Sequence, residues 1–144
     1  MILLDVNVLV YAHRQDAQDH ARFKGWLEAV LAAGAPFGVP DLVFSGFLRV
    51  VTHPKVFNPP SPLEKAWEFV EALRTHPQCI TVGPGPGHWR IFRDLCVSAG
   101  AKGNLVPDAF LAALALEQGA EWLTTDRDFS RFVGLKWRHP LAAC

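Results

Sequence analysis

Apolar positions change period several times along the chain, and the changes mark its elements. Ile2 to Leu4 is a short run with no polar break, the pattern of a strand buried on both faces of a parallel sheet. Phe23, Trp26, Leu27, Val30 and Leu31 then recur at helical spacing, and Gly34 and Pro36 close that helix. Phe37 to Val39 reads as a second strand. Asp41, after Pro40, is placed to cap a helix through Phe44, Leu48 and Val51, which His53 and Pro54 stop. The loop FNPPSPLE ends in a capping box, Ser61 to Glu64, with Pro62 at the first helical position. Leu63, Ala66, Trp67, Val70 and Leu73 share one face of the helix that follows. Cys79 to Val82 predicts a third strand, Gly83 to Gly87 a turn, and Trp89, Phe92, Leu95, Cys96 and Ala99 another amphipathic helix. From Pro107 to Leu116 the chain is apolar nearly all round, as a centrally packed helix is. Trp122 to Thr124 predicts a fourth strand, Asp128 to Phe132 a helical turn or two, and Leu135 to Trp137 a fifth strand. Strands alternating with helices predict an α/β fold, with a central, mostly parallel sheet of four to five strands and helices on both faces.

The 144 residues suit one domain spanning 1–144, and an apolar content of 50% with 19% charged residues excludes disorder, collagen and coiled coil. Lys and Arg number 14 against 14 Asp and Glu, so there is no global field to draw the chain onto nucleic acid or an anionic membrane, and any polyanion must be met locally. No apolar run reaches the roughly 18 residues that span a bilayer, and the apolar N-terminus is interrupted by Asp5 with no basic leader, which argues against a signal peptide. A cytoplasmic protein is expected. Cys79, Cys96 and Cys144 form no CxxC pair and read as buried or terminal thiols.

Ligands of such sheets bind at the carboxyl ends of the strands, where strand order reverses. Asp5 ends the first strand and is costly there as an isolated charge. Asp108 opens the alanine-rich helix, Asp126 follows a strand, and Asp128 comes two residues later. The last three have ordinary alternatives as caps or first-turn acids, whereas Asp5 has no comparable structural role in this reading. Carboxylates meeting in one cleft repel and raise one another's pKa values, so a divalent cation is expected, and oxygen-only ligation selects magnesium or manganese. GPGPG lacks the free N–H groups of a phosphate loop, the six histidines show no HxxxH spacing and read as surface or loop residues, and Ser45 lies outside a GxSxG elbow. Arg14, Arg49, Lys55, Arg127, Arg131, Lys136 and Arg138 are scattered, as on a solvated face.

The segments MILLDVNVLVYA, FLRVVTHPKVF and GNLVPDAFLAALALEQGAEWLTTDRDFSRFVGLKWRHPL together resemble the PIN-domain ribonucleases, in particular the toxins of VapBC-type toxin–antitoxin pairs, over essentially the whole chain. The resemblance implies a PIN-like three-layer sandwich and an endoribonuclease dependent on Mg2+ or Mn2+, whose water nucleophile leaves 3'-hydroxyl and 5'-phosphate ends on an RNA such as tRNA or rRNA. It implies that Asp5, Asp108, Asp126 and Asp128 are the catalytic and metal-holding acids, with Asn7 as the small polar residue near the first. Where the family commonly carries a second, glutamate ligand this chain has Gly46, so that water or Ser45 fills in. Arg49 is a candidate phosphate contact, with packing of its stem along the helix as the equal alternative. Implied partners are RNA, a second copy of the chain, and a VapB-type antitoxin whose C-terminal segment packs between the helices of segments 17–33 and 62–74. Two other readings stand beside this one: an inactive RNA- or antitoxin-binding module, for which Gly46 argues, and a phosphotransferase similar to the haloacid dehalogenases with Asp5 as nucleophile, which Asn7 in place of a second aspartate disfavours.

Overall fold

A computed structural model describes residues 1–142 of the chain; Cys144 lies outside the described residues. The elements run β1 (Ile2–Leu4), α1 (Val6–His13), α2 (His20–Ala32), β2 (Phe37–Pro40), α3 (Asp41–Val51), α4 (Leu63–Arg74), β3 (Cys79–Val82), α5 (His88–Ala99), α6 (Leu105–Gln118), β4 (Glu121–Leu123), a 3-10 turn (Arg127–Arg131) and β5 (Trp137–Arg138). The five strands form one sheet in the order β3-β2-β1-β4-β5, and every pairing is parallel. The expected mostly parallel sheet is therefore wholly parallel.

Successive residues of a strand face opposite sides, so the complete burial of both Leu3 and Leu4 means that β1 is covered on both faces. Two helical groups do the covering, α1 with α2 and α3 and α3 with α4 in one, α5 with α6 in the other. Phe37, Val39, Trp122 and Leu123 continue the same core through β2 and β4. Gly38 is a packing requirement: a Cβ there would stand 2.6 Å from Leu3 and 2.7 Å from Val82. No helix of the described residues is long and apolar enough to cross a membrane.

Several local expectations give way to tertiary contacts. Residues 6–13, not predicted as an element, form α1. Asp41 is not a cap: Pro40 holds that position, and Asp41 is the first residue of α3, paired with Arg74 at 3.3 Å. The capping box at Ser61 does not form, because Pro62 is the N-cap of α4 and its helix begins at Leu63; Ser61 is buried and its hydroxyl bonds His13 and Arg14 instead. On α4, Ala66, Val70 and Leu73 enter the core while Leu63 and Trp67 stay exposed. The fifth strand is displaced to Trp137 and Arg138. His88, expected at the surface, is almost fully buried with its ring bonded to the carbonyl of Phe110. GPGPG is a turn, yet the amides of Gly85 and Gly87 do hold an anion, the carboxylate of Glu117, at 2.7 and 2.8 Å.

Candidate active site

The chain winds outward from β1 to β2 and β3, then returns to the other side of β1 for β4 and β5. The order thus reverses between β1 and β4, and in open parallel sheets the crevice at the carboxyl ends of such a strand pair is the place for a ligand. Asp5 immediately follows β1 and Thr124 immediately follows β4.

Asp5 is nearly fully buried. Its Oδ1 accepts the amide of Val6 at 2.7 Å, which makes it the N-cap of α1. This corrects the expectation that Asp5 lacks a structural role. Its Oδ2 accepts from Asn7 Nδ2 at 3.1 Å and from the Thr124 hydroxyl at 2.7 Å. Burial raises the Asp5 pKa; the bonds from Thr124, Val6 and Asn7 pull it back, and the nearby charge of Asp126 pushes it up again.

Thr124, fully buried, is the hub of the site and was not foreseen. Its oxygen also accepts from Asn7 Nδ2 at 3.2 Å and from the amide of Asp126 at 3.0 Å. Asn7 in turn accepts the amide of Thr125 at 3.0 Å. The loop after β4 is thereby tied to the start of α1. Asp126 caps the 3-10 turn by accepting the amide of Asp128 at 2.9 Å.

Asp5, Asn7, Ser45, Gly46, Arg49, Asp108 and Asp126 all line one open cleft of about 630 Å³. Asp128 is exposed and does not line it. Asp108 projects from the first turn of α6, half-buried, with its pKa raised to about 6 first by burial and then by the charges of Asp126, Asp5 and Asp128. Gly46 sits on the cleft wall as the resemblance implies, and it lets α3 approach α1: a Cβ there would stand 3.0 Å from Val6 Cγ2.

The donors fit a hard divalent cation, since they are carboxylate oxygens whose mutual repulsion such an ion offsets. Among the described residues no three acidic, histidine or cysteine side chains converge into a ready-made cage. The arrangement therefore suits an ion held by one or two carboxylates, with water and substrate oxygens completing the shell, as magnesium prefers.

The chain matches the PIN domain model over residues 2–135. It is 49% identical over 141 residues to Ribonuclease VapC43 of Mycobacterium tuberculosis, covering 98% of this chain and 96% of that one. It is 44% identical over 140 residues to Ribonuclease VapC25 of the same organism, covering 97% and 99%. Among solved structures, VapBC2 from Rickettsia felis bound to a promoter DNA fragment aligns with a TM-score of 0.70 at 18% identity, covering 96% of this chain and 98% of that chain. VapC20 of M. tuberculosis, a Sarcin-Ricin loop cleaving toxin, aligns with a TM-score of 0.64 at 15% identity, covering 94% and 99%. The chain belongs to the PIN-domain family, among its VapC-type ribonucleases.

Proposed function

We propose that this chain is a divalent-cation-dependent endoribonuclease and the toxin of a VapBC-type pair, hydrolysing RNA phosphodiesters to 3'-hydroxyl and 5'-phosphate ends. The observation that carries the reading is that Asp5, Asp108 and Asp126, from three separate parts of the chain, line one cleft at the point of strand reversal. The ribonuclease names of relatives 44–49% identical support the chemistry.

Magnesium or manganese, when bound, supplies Lewis acidity toward phosphoryl oxygen and a water of lowered pKa. Asp5, fixed by three hydrogen bonds, is the rigid donor to that ion. Asp108, raised to about 6 by burial and then by the charges of its acidic neighbours, is the carboxylate that most needs a cation beside it. Asp126 is oriented by its capping bond to Asp128, whose own carboxyl adds charge from outside the cleft. Arg49 on the cleft wall is placed to meet a phosphate, and Ser45 to bind a water where the chain carries Gly46. The cytoplasm is the proposed location, where RNA and a partner are both met.

A groove of about 350 Å³ between α2 and α4, floored by Leu27, Leu31, Phe69 and Leu73, supports capture of the antitoxin's C-terminal segment. Phe23 is not part of it, being buried against Tyr11 and His139. Pairing of two copies belongs to the same proposal: α5 leaves Trp89 and Val97 70% and 73% exposed, apolar surface outside both cleft and groove, and sedimentation of the antitoxin-free chain tests it.

The decisive experiment incubates antitoxin-free protein with structured RNA in magnesium or manganese, in EDTA, and as the Asp108→Asn variant. Cleavage in the first condition alone is expected. Cleavage that persists in EDTA overturns metal dependence. Gly46 favours a second reading, a binding module without turnover; RNA retention on the protein with no cleavage at any metal concentration would establish it.

A further inference from the structure

The cleft that holds the aspartates has apolar lining that this chemistry leaves unused. Beyond the acids its walls are Tyr11 from α1, Leu42 and Val50 from α3, and Val56 and Phe57 from the loop after α3. Leu42 and Val56 keep 48% and 54% of their surface exposed. Apolar side chains grouped in water beside a charged site mark a surface that binds something.

Phe57 is the best-held of these residues. Its amide and that of Val56 both donate to the carbonyl of His53, at 3.1 and 3.0 Å, and the loop closes with the amide of Ser61 on the carbonyl of Val51 at 2.8 Å. Arg14 then locks the loop from behind. Its guanidinium lies 4.3 Å from the centroid of the Phe57 ring and donates to the Pro59 carbonyl at 3.0 Å and the Ser61 hydroxyl at 3.1 Å. Asp16 holds the same guanidinium at two points, 2.9 and 2.7 Å. Arg14 does not line the cleft, so it backs the ring from outside while the ring itself forms cleft wall. This corrects the expectation of Arg14 as a residue of a solvated face: its side chain is only 12% exposed.

A ring fixed on one side by a stacked guanidinium has little freedom left to lose when a second planar group meets it. Unstacked bases of RNA loops are held on such platforms, and Phe57 lines the same cleft as Asp5, Asp108 and Asp126, which the phosphate of such a nucleotide would meet. We propose that Phe57, with Tyr11 and Val56, forms a nucleobase subsite that receives an unstacked base next to the scissile phosphate, with Arg14 as the positioning residue behind Phe57. The inference rests on the ribonuclease reading and adds what the acids cannot supply, a preference for looped-out over paired RNA.

The test titrates the full, antitoxin-free chain with AMP, GMP, CMP, UMP and ribose 5-phosphate, reading the methyl signals of Leu42, Val50 and Val56 by NMR. At least one nucleotide should bind about tenfold or more tightly than ribose 5-phosphate, given typical base–aromatic stacking. Phe57→Ala should erase that preference, Phe57→Trp should keep it, and Arg14→Lys, which retains charge but not the planar stack, should reduce it. Core methyls of Leu3 and Leu114 report whether each variant is folded. The proposal is overturned if ribose 5-phosphate binds as well as every nucleotide, or if folded Phe57→Ala keeps the wild-type preference; RNA cleavage by the wild type would still uphold the ribonuclease reading. The expected base preference in a chain that cuts no RNA would uphold the subsite and remove the ribonuclease reading instead.

Discussion

Asp108 is the carboxylate on which the electrostatics of the cleft act most openly. Its pKa rises from 3.8 to about 6 in the folded chain, so folding favours the protonated form. The resulting stabilisation is complete below about 3.8 and is lost as pH rises through about 6. The group is half-buried, and solvent screens part of the penalty. In EDTA, Asp108→Asn should therefore leave Tm unchanged near pH 3.5 and raise it at pH 7.5 by roughly 2–4 °C, the effect of about 1 kcal/mol in a chain of this size. Scanning calorimetry across that range checks it, and a difference that grows toward acid pH would contradict the assigned sign. Thr124 makes the complementary case. Thr124→Val keeps the shape but removes a donor to Asp5 and an acceptor for Asn7 and Asp126. Urea titration should show a loss of about 1–3 kcal/mol, the cost of leaving buried polar groups unmatched. Manganese affinity should fall with it, because the bond from Thr124 is the strongest influence opposing the raised pKa of Asp5.

Between elements, the contact that most shapes the cleft is α3 against α1 at Gly46 and Val6. A helix-interior glycine costs roughly 0.5–1 kcal/mol relative to alanine, so its presence here reflects close packing. Gly46→Ala alone should gain little, because the new Cβ meets Val6. In a Val6→Ala background the same substitution should stabilise by about 0.5–1 kcal/mol, the helix propensity regained. A thermodynamic cycle with no coupling between the two positions would show that the approach is not what demands glycine. The miss of α1 has a related cause. Val8, Leu9, Val10 and Ala12 are all buried, so VNVLVYAH shows no amphipathic stripe and reads as a continuation of the strand before it. Its one start signal is Asp5, whose carboxylate both caps the helix and lines the cleft. The capping box failed differently, since no local pattern reveals that Ser61 is claimed by His13, 48 residues away. Strands β2 and β3 and helices α2 and α6 were legible because their periods and stop signals agreed with their packing.

For the molecule as a whole, the three aspartates of the cleft could be read from the chain because each follows a strand or opens a helix, positions that a parallel sheet gathers at one end. Thr124 and the Phe57 wall could not, since neither residue type signals chemistry by itself. With 14 charges of each sign, association with a partner depends on local surfaces, and the groove between α2 and α4 lies among residues distinct from those of the acid cleft. Leu31→Arg and Ala72→Arg, on its opposite walls, should weaken antitoxin binding about tenfold or more by calorimetry, as loss of a central apolar contact does. RNA cleavage by the free protein should be unchanged. Full inhibition of both variants would place the antitoxin elsewhere.

Asp5 and Thr124 are separated by 119 positions along the chain, and β1 has β4 as one of its two neighbours in the sheet. During synthesis the first carboxylate therefore emerges long before the hydroxyl that holds it and the Asp126 charge that completes the cleft. A growing chain that has reached Gly119 has neither β4 nor the loop behind it. Such a chain, whatever α-helices it has already folded, holds Asp5 and Asp108 without Thr124 or Asp126, so the acid cleft is assembled only with the last strands.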